Sequence, residues 1–195
     1  TAHCSLARPE EDGSPGVNGD TVTFFTSEGN YHYSLISDGM GSGRRAALAS
    51  RLVSLVMEKL LYAGGKKDLT LELLNTLLMS REDECFATVD LCEIDLYTGK
   101  GEFIKAGAAP AFVIRKGVIF KIQSATVPVG IINNMNAEQT SVSFEDGDVI
   151  VMLSDGVIQS CDEGAWLLEL LGHDGTSRSA GELAEHIVRE ARTVN

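Results

Sequence analysis

The chain has 195 residues, 44% hydrophobic and 23% charged, enough to close one core and too few for two independent ones, so one domain over residues 1–195 is expected. Sixteen Lys and Arg against 28 Asp and Glu give a net charge of −12, which argues against nucleic acid or an anionic membrane surface as partner. No apolar run approaches the roughly 20 residues of a spanning helix, and no basic-then-apolar leader occurs within the chain.

Thr1 to Ala7 reads as a short strand, and Glu10 to Gly19 as loop. Thr21 to Thr26 and Tyr31 to Ser37 are rich in β-branched and aromatic residues and flank Ser27-Glu28-Gly29-Asn30, a hairpin signal. The spacing predicts a helix over Arg44 to Ala63 with Leu48, Leu52, Leu55, Val56 and Leu60 on its inner face, and Ala47, Val53 and Leu61 widening that face. A second helix follows from Leu69 to Ser80 with Leu73, Leu74, Leu77 and Leu78 inward. An apolar circumference that wide predicts burial between layers.

From Phe86 the period drops to two. Phe86 to Tyr97, Gly101 to Ala106, Ala111 to Arg115 and Val118 to Ile122 read as a meander, with tight-turn chemistry at Thr98-Gly99-Lys100-Gly101 and Lys116-Gly117. Thr140 to Phe144 and Val149 to Ser154 read as a further hairpin around Glu145-Asp146-Gly147-Asp148. Two helical segments end the chain, Trp166 to Leu171 and Ala180 to Arg192, the last with Ala180, Leu183, Ala184, Ile187, Val188 and Ala191 as an apolar stripe. Hairpin-joined strands without regular βαβ alternation predict the α+β class, with two stacked, mainly antiparallel sheets between helical layers.

Cys4, Cys85, Cys92 and Cys161 form no CxxC pair, and His3, His32, His173 and His186 stand apart. Neither a disulfide framework nor a zinc knuckle is expected, and a reducing cytosol suits the thiols. Cys85 and Cys92 read as buried small apolar residues, and Trp166 as a core anchor.

The stretch Ser34 to Gly43, SLISDGMGSG, carries an apolar strand into Asp38-Gly39 and a glycine-rich loop, and Val149 to Gly156, VIVMLSDG, repeats the ending at Asp155. Asp20, in Asn18-Gly19-Asp20, opens another strand. Carboxylates gathered at strand ends repel unless a cation offsets them, and hard oxygens suit magnesium or manganese. Asp-Gly after a strand is also ordinary turn chemistry, so both readings stay open on spacing alone. Gly41-Ser42-Gly43-Arg44-Arg45-Ala46 fits GxGxxA between strand and helix, yet a dinucleotide fold needs a strand after that helix, where the pattern gives a second helix. Arg44 and Arg45 fit a solvated helix start, and beside a metal cluster they would meet a phosphate.

Asn18-Gly19-Asp20, Ser37-Asp38-Gly39-Met40-Gly41-Ser42-Gly43 and Ser154-Asp155-Gly156, in that order with an intervening sheet, resemble the PPM (PP2C-like) metal-dependent serine/threonine phosphatases. Within them the chain looks most like the phosphatase domain of the stage II sporulation protein E branch of endospore-forming bacteria. Ala87 to Leu91, Ala106 to Pro110 and Val127 to Asn133 add to the likeness.

The resemblance implies an αββα sandwich with two Mn or Mg ions. Asp38 would bridge both ions, the Gly39 carbonyl would ligate one, and Asp20 and Asp155 would complete the set, for attack on phosphorus by a metal-activated water. It further implies a phosphoserine substrate on a small anti-anti-sigma factor, in a cytoplasmic domain of a membrane-anchored parent. A catalytically silent module docking the same partner is the alternative reading, and a nucleotide-binding enzyme using Gly41 to Gly43 the remote one. The chain opens without Met and stops at Asn195, before the further Asp and last strand of such domains. A fragment is therefore expected, with one metal position short of a ligand and a sheet edge open to self-association.

Overall fold

The computed structural model describes residues 1–5, 16–81, 85–133, 135–158 and 164–194. The chain divides into two compact units, Ala7–Ala108 with Ser124–Ser143, and Thr1–Leu6 with Ala109–Gln123 and Phe144–Asn195.

The larger unit holds a five-stranded sheet in the order β1-β2-β3-β4-β7, with β1 Asp20–Thr26, β2 Tyr31–Asp38, β3 Val89–Asp95, β4 Lys100–Ala106 and β7 Glu138–Ser143. All neighbours are antiparallel. The hairpin around Ser27 to Asn30 is present, with Asn30 in the left-handed region at φ 59°. Helices α1 (Gly43–Tyr62) and α2 (Lys67–Met79) belong to the same unit. Tyr33, Leu35, Val53, Met57, Leu74, Leu78, Val89, Leu91 and Ile104 are among the buried residues of its core.

The α1 face differs from the expected one. Leu48 and Leu55 are each 53% exposed and Leu52, Val56 and Leu60 half-buried, whereas Ala47, Val53 and Leu61, expected at the margin of that face, are buried together with Ala46, Ala49, Ser50, Ser54 and Met57. Small residues at helical spacing bring the helix close to β1, near enough for the Ser50 hydroxyl to pair with that of Thr21 at 2.9 Å and Ser54 with Thr23. On α2, Leu74 and Leu78 are buried, while Leu73 and Leu77 are exposed along with Leu69. Neither helix is covered on all sides.

The smaller unit holds a three-stranded antiparallel sheet, β6-β5-β8, from β5 Ala111–Arg115, β6 Val118–Ile122 and β8 Val149–Val151. Lys116 and Gly117, with φ of 50° and 81°, make the expected tight β5-β6 turn. Its core combines Phe112, Ile114, Val151 and Leu153 with Leu167 and Leu171 of α3 (Ala165–Asp174) and Leu183 and Ile187 of α4 (Ala180–Val194). The α4 stripe is buried at Leu183, Ile187 and Ala191, with Ala184 and Val188 half-buried and Ala180 exposed. Trp166 only flanks this core; Leu167 and Leu171 anchor it.

The α+β class with two antiparallel sheets and four helices is as expected. Pairing is not. β3-β4 and β5-β6 are hairpins in different sheets rather than one meander, and β7 pairs with β4 while β8 pairs with β5. Asp148 explains the β7-β8 connection: its carboxylate accepts the Glu145 N–H at 2.9 Å and the Arg115 Nε–H at 2.9 Å, closing a turn between strands of separate sheets. Thr1 to Ser5 form no strand; Leu6 and Ala7, most of the Glu10 to Gly19 loop, and Cys161 lie outside the described residues. Among the described residues no helix is long and apolar enough to cross a membrane.

Candidate metal and phosphate site

The strand alternation places the acidic residues. On β2, Tyr33, Leu35 and Ser37 are buried, and on β1 Thr21 and Thr23 reach α1. Asp38 and Asp20 therefore belong to the opposite sheet face. They are direct cross-strand partners, Asp20 opening β1 and Asp38 closing β2. Side chains so opposed have Cβ atoms about 5 Å apart. The hairpin register thus brings together two of the three carboxylates read from the sequence.

Backbone contacts fix each of them. The Asp38 N–H donates to Thr88 Oγ1 at 2.9 Å, its carbonyl accepts the Thr88 N–H at 2.8 Å, and the Ser37 hydroxyl donates to the Thr88 carbonyl at 2.8 Å. Asn18 Oδ1 accepts the Asp20 N–H at 2.9 Å. Thr88 is thus a positioning residue that sequence reading took only as part of a motif.

Gly39 has a role the sequence did not disclose. A Cβ there would lie 1.8 Å from the Ala46 carbonyl oxygen and 2.7 Å from Ala46 Cα, so the missing side chain lets α1 close on the end of β2 rather than serving only approach to a ligand. Across the hairpin, the Gly39 N–H donates to the Gly19 carbonyl at 3.2 Å. A Cβ on Gly19 would stand 3.5 Å from the Gly39 carbonyl oxygen and 3.9 Å from Asp38 Oδ1, so both oxygens border one small space. Two carboxylates and a carbonyl there are hard donors that fit magnesium or manganese.

Asp155 does not close a strand as expected. Strand β8 ends at Val151, and Asp155 opens a short 3-10 turn, Asp155–Val157, in the smaller unit, where it is exposed. Gly156 meets nothing closer than Ser154 Oγ at 3.9 Å for an added Cβ, so packing does not demand a glycine there. Among the described residues no group of three or more His, Cys, Asp or Glu side chains is gathered as a metal-binding cluster.

The loop after Asp38 carries Gly41 and Gly43 at φ 95° and 67°. Helix α1 then starts without a side-chain cap, with Arg44 and Arg45 exposed and no acidic residue in its first turn. Unpaired helical N–H groups and cations favour an anion there. The dinucleotide reading of this loop fails, because α1 runs into α2 and every paired strand is antiparallel. Cys85 and Cys92 are buried as expected, and burial first, then the Asp90 charge, pushes the Cys92 thiol well above its ordinary range.

Sequence reading passed over an ion pair on the same sheet face as Asp38. Asp90 on β3 and Lys105 on β4 are cross-strand partners, each 1% exposed, with Nζ 2.6 Å from Oδ1. Burial, only partly offset by Lys105, pushes the Asp90 carboxyl up to about 6, and burial lowers the Lys105 ammonium. The signal was present: opposite charges inside the apolar runs Val89-Asp90-Leu91 and Ile104-Lys105-Ala106.

The family model described as stage II sporulation protein E (SpoIIE) matches residues 28–195. Stage II sporulation protein E of Bacillus subtilis (strain 168) is 34% identical over 144 residues, 73% of this chain and 17% of that protein. Phosphoserine phosphatase RsbU of the same organism is 25% identical over 159 residues, 78% of this chain and 48% of that one. The solved PP2C phosphatase domain and regulatory-domain fragment of the cell fate determinant SpoIIE from Bacillus subtilis matches with a TM-score of 0.82 and 26% identity over 100% of this chain and 60% of that chain. The chain thus spans less than half the length of these two curated relatives, within a fold shared with the PP2C phosphatases. On the match over residues 28–195, it belongs to the stage II sporulation protein E family of PP2C-type protein serine/threonine phosphatases.

Proposed function

We propose that this chain hydrolyses phosphoserine on a small anti-anti-sigma protein, and so controls release of a sporulation sigma factor from a cytoplasmic domain of a membrane-anchored parent. The observation that carries the reading is the cross-strand pairing of Asp20 with Asp38 beside the Gly39 carbonyl, in a chain of this family. Asp20, Asp38, Gly39 and Asp155 are the residues proposed to hold two divalent ions. The PP2C class is metal-dependent. When bound, such ions neutralise charge on the phosphoryl oxygens and lower the pKa of water.

The chain's own groups do the rest. Thr88 holds Asp38 by its backbone, so that the carboxylate is presented without reorganisation. Arg44, Arg45 and the uncapped start of α1 receive the phosphate of the incoming protein. A charge of −12 disfavours polyanionic substrates and leaves a phosphoserine flanked by neutral or basic residues as the better match.

The test is release of phosphate from a phosphoserine-bearing anti-anti-sigma protein, beside ATP as a nucleotide substrate, each with manganese and with excess chelator. Release from the phosphoprotein alone, lost with chelator, is expected. Binding of the phosphoprotein without turnover in manganese would instead mean a silent docking module.

A further inference from the structure

Charged side chains run across one face of the five-stranded sheet, ending at Glu138 on β7, the exposed cross-strand partner of Lys105. Asp20 on β1 opposes Asp38 on β2; two residues back along β2, Ile36 opposes Asp90 on β3, which opposes Lys105 on β4. Asp90 is therefore the diagonal cross-strand neighbour of Asp38, a relation that separates Cβ atoms by about 7 Å. The rest of this face along β3 and β4 is apolar and buried at Cys92 and Phe103, 1% and 0% exposed.

The pair is incompletely satisfied. Lys105 Nζ lies 2.6 Å from Asp90 Oδ1, yet both buried carboxylate oxygens lack a hydrogen-bond partner of good geometry among the described residues. A buried pair of this kind is commonly no better for folding than apolar residues of the same volume, and a buried acceptor without a donor is costly. A fold that needed only packing at these two positions would be served by the apolar types that surround them. The open acceptor, at the diagonal of an acidic pair, calls for a donor that arrives with a ligand.

We propose that Asp90 is a positioning residue of the metal centre, its Oδ2 accepting a hydrogen bond from the hydration shell of a divalent ion held by Asp20 and Asp38, with Lys105 pinning the carboxylate. The inference rests on the reading that Asp20 and Asp38 bind such an ion. Magnesium and manganese retain several waters when held by few carboxylates, at metal-oxygen distances of about 2.1 Å. One ion, one water and one hydrogen bond of about 2.7 Å would span up to about 7 Å, the same order as the Cβ spacing of diagonal neighbours. Acceptors in this outer position orient the coordinated groups, and their removal typically weakens metal affinity about 10- to 100-fold.

The test is manganese titration of the whole chain by calorimetry and by water-proton relaxation, with melting followed on the same samples. The variants are Asp90→Asn, which replaces the open acceptor by a donor, the apolar pair Asp90→Leu with Lys105→Met, and Asp38→Asn. Asp90→Asn and the apolar pair should each weaken manganese binding about 10-fold or more and alter the relaxation enhancement per bound ion, with the melting of the apolar pair unchanged or raised. Asp38→Asn should abolish the same binding event. If Asp38→Asn binds as wild type, the metal reading of Asp20 and Asp38 fails first. If Asp38→Asn loses binding while Asp90→Asn and the apolar pair bind as wild type, this inference alone is overturned. Should both Asp90 variants be unfolded, the pair is a folding element and the inference falls equally.

Discussion

Replacing Gly39 by Ala isolates the contact that seats α1 on the end of β2. The added methyl would lie 1.8, 2.4 and 2.7 Å from the Ala46 carbonyl oxygen, carbonyl carbon and Cα, against ordinary separations of about 3.5 Å or more. Backbone rather than a flexible side-chain end is in the way, so helix and strand must part by more than an ångström. Overpacking costs about 1–3 kcal/mol. Parting them also strains the Gly39–Gly19 and Asp38–Thr88 hydrogen bonds, at about 1 kcal/mol each. A loss of about 3–5 kcal/mol follows, which lowers the melting temperature of a chain this size by about 6–20 °C. Gly41→Ala and Gly43→Ala are the internal controls. Nothing lies within 4 Å of a Cβ at either position, so each should cost only the left-handed backbone term of about 1–2 kcal/mol. Thermal melts of the three variants decide the matter, and a Gly39→Ala protein melting with or above the two controls would refute the close-approach argument.

Other expectations follow from single contacts. Asn75 is buried, its Oδ1 accepting the Gly130 N–H at 2.8 Å and its Nδ2 donating to the Ile132 carbonyl at 2.9 Å, so Asn75→Ala should lose about 2–3 kcal/mol in a denaturant titration; a loss below about 0.5 kcal/mol would show the loop is held otherwise. Asp90, pushed up to about 6 by burial from its ordinary value of 3.8, binds its proton more tightly folded than unfolded. Its contribution to stability is therefore full below about pH 4 and is lost as pH rises through about 6. The stability of Asp90→Asn relative to wild type should grow by about 3 kcal/mol between those limits, and a pH-independent difference would contradict the shift. Arg44→Ala and Arg45→Ala, both at exposed positions, should raise KM for the phosphoprotein with kcat and melting little changed; an unchanged KM would remove them from substrate binding.

The parts of the fold legible in sequence were those fixed locally. Period-two runs, the Lys116-Gly117 turn and the helix-ending Gly64 follow from backbone sterics that act within a few residues. Long-range choices were not legible. Apolar size pointed to Leu48 and Leu55 as the inner face of α1, but Ala46, Ala49, Ser50 and Ser54 take much of that face beside Val53, Met57 and Leu61, because small residues let the helix lie close to β1. Glu145 to Asp148 has hairpin composition, yet β7 finds β4 and β8 finds β5, since sheet membership depends on pairing surfaces that a turn does not encode. Of the candidate site, the Asp20–Asp38 pair was implicit in the hairpin register. Asp155 was read as the end of a strand and opens a turn instead, because β8 stops at Val151. Gly39 was read only as an ion ligand through its carbonyl, and its close approach to Ala46 of α1 depends on packing that the local motif does not encode. Asp90 and Lys105 were passed over because each looks like an ordinary outward strand residue until the partner strand is known.

Asp38 and Asp155 are both proposed to serve the metal-dependent hydrolysis. The most direct measurement is manganese-dependent phosphate release from the phosphoserine protein by wild type, Asp38→Asn and Asp155→Asn, with circular dichroism confirming that each variant is folded. Turnover should be lost in both variants while the fold persists. Undiminished turnover in folded Asp155→Asn would return that aspartate to ordinary turn chemistry, and undiminished turnover in Asp38→Asn would end the metal-centred mechanism.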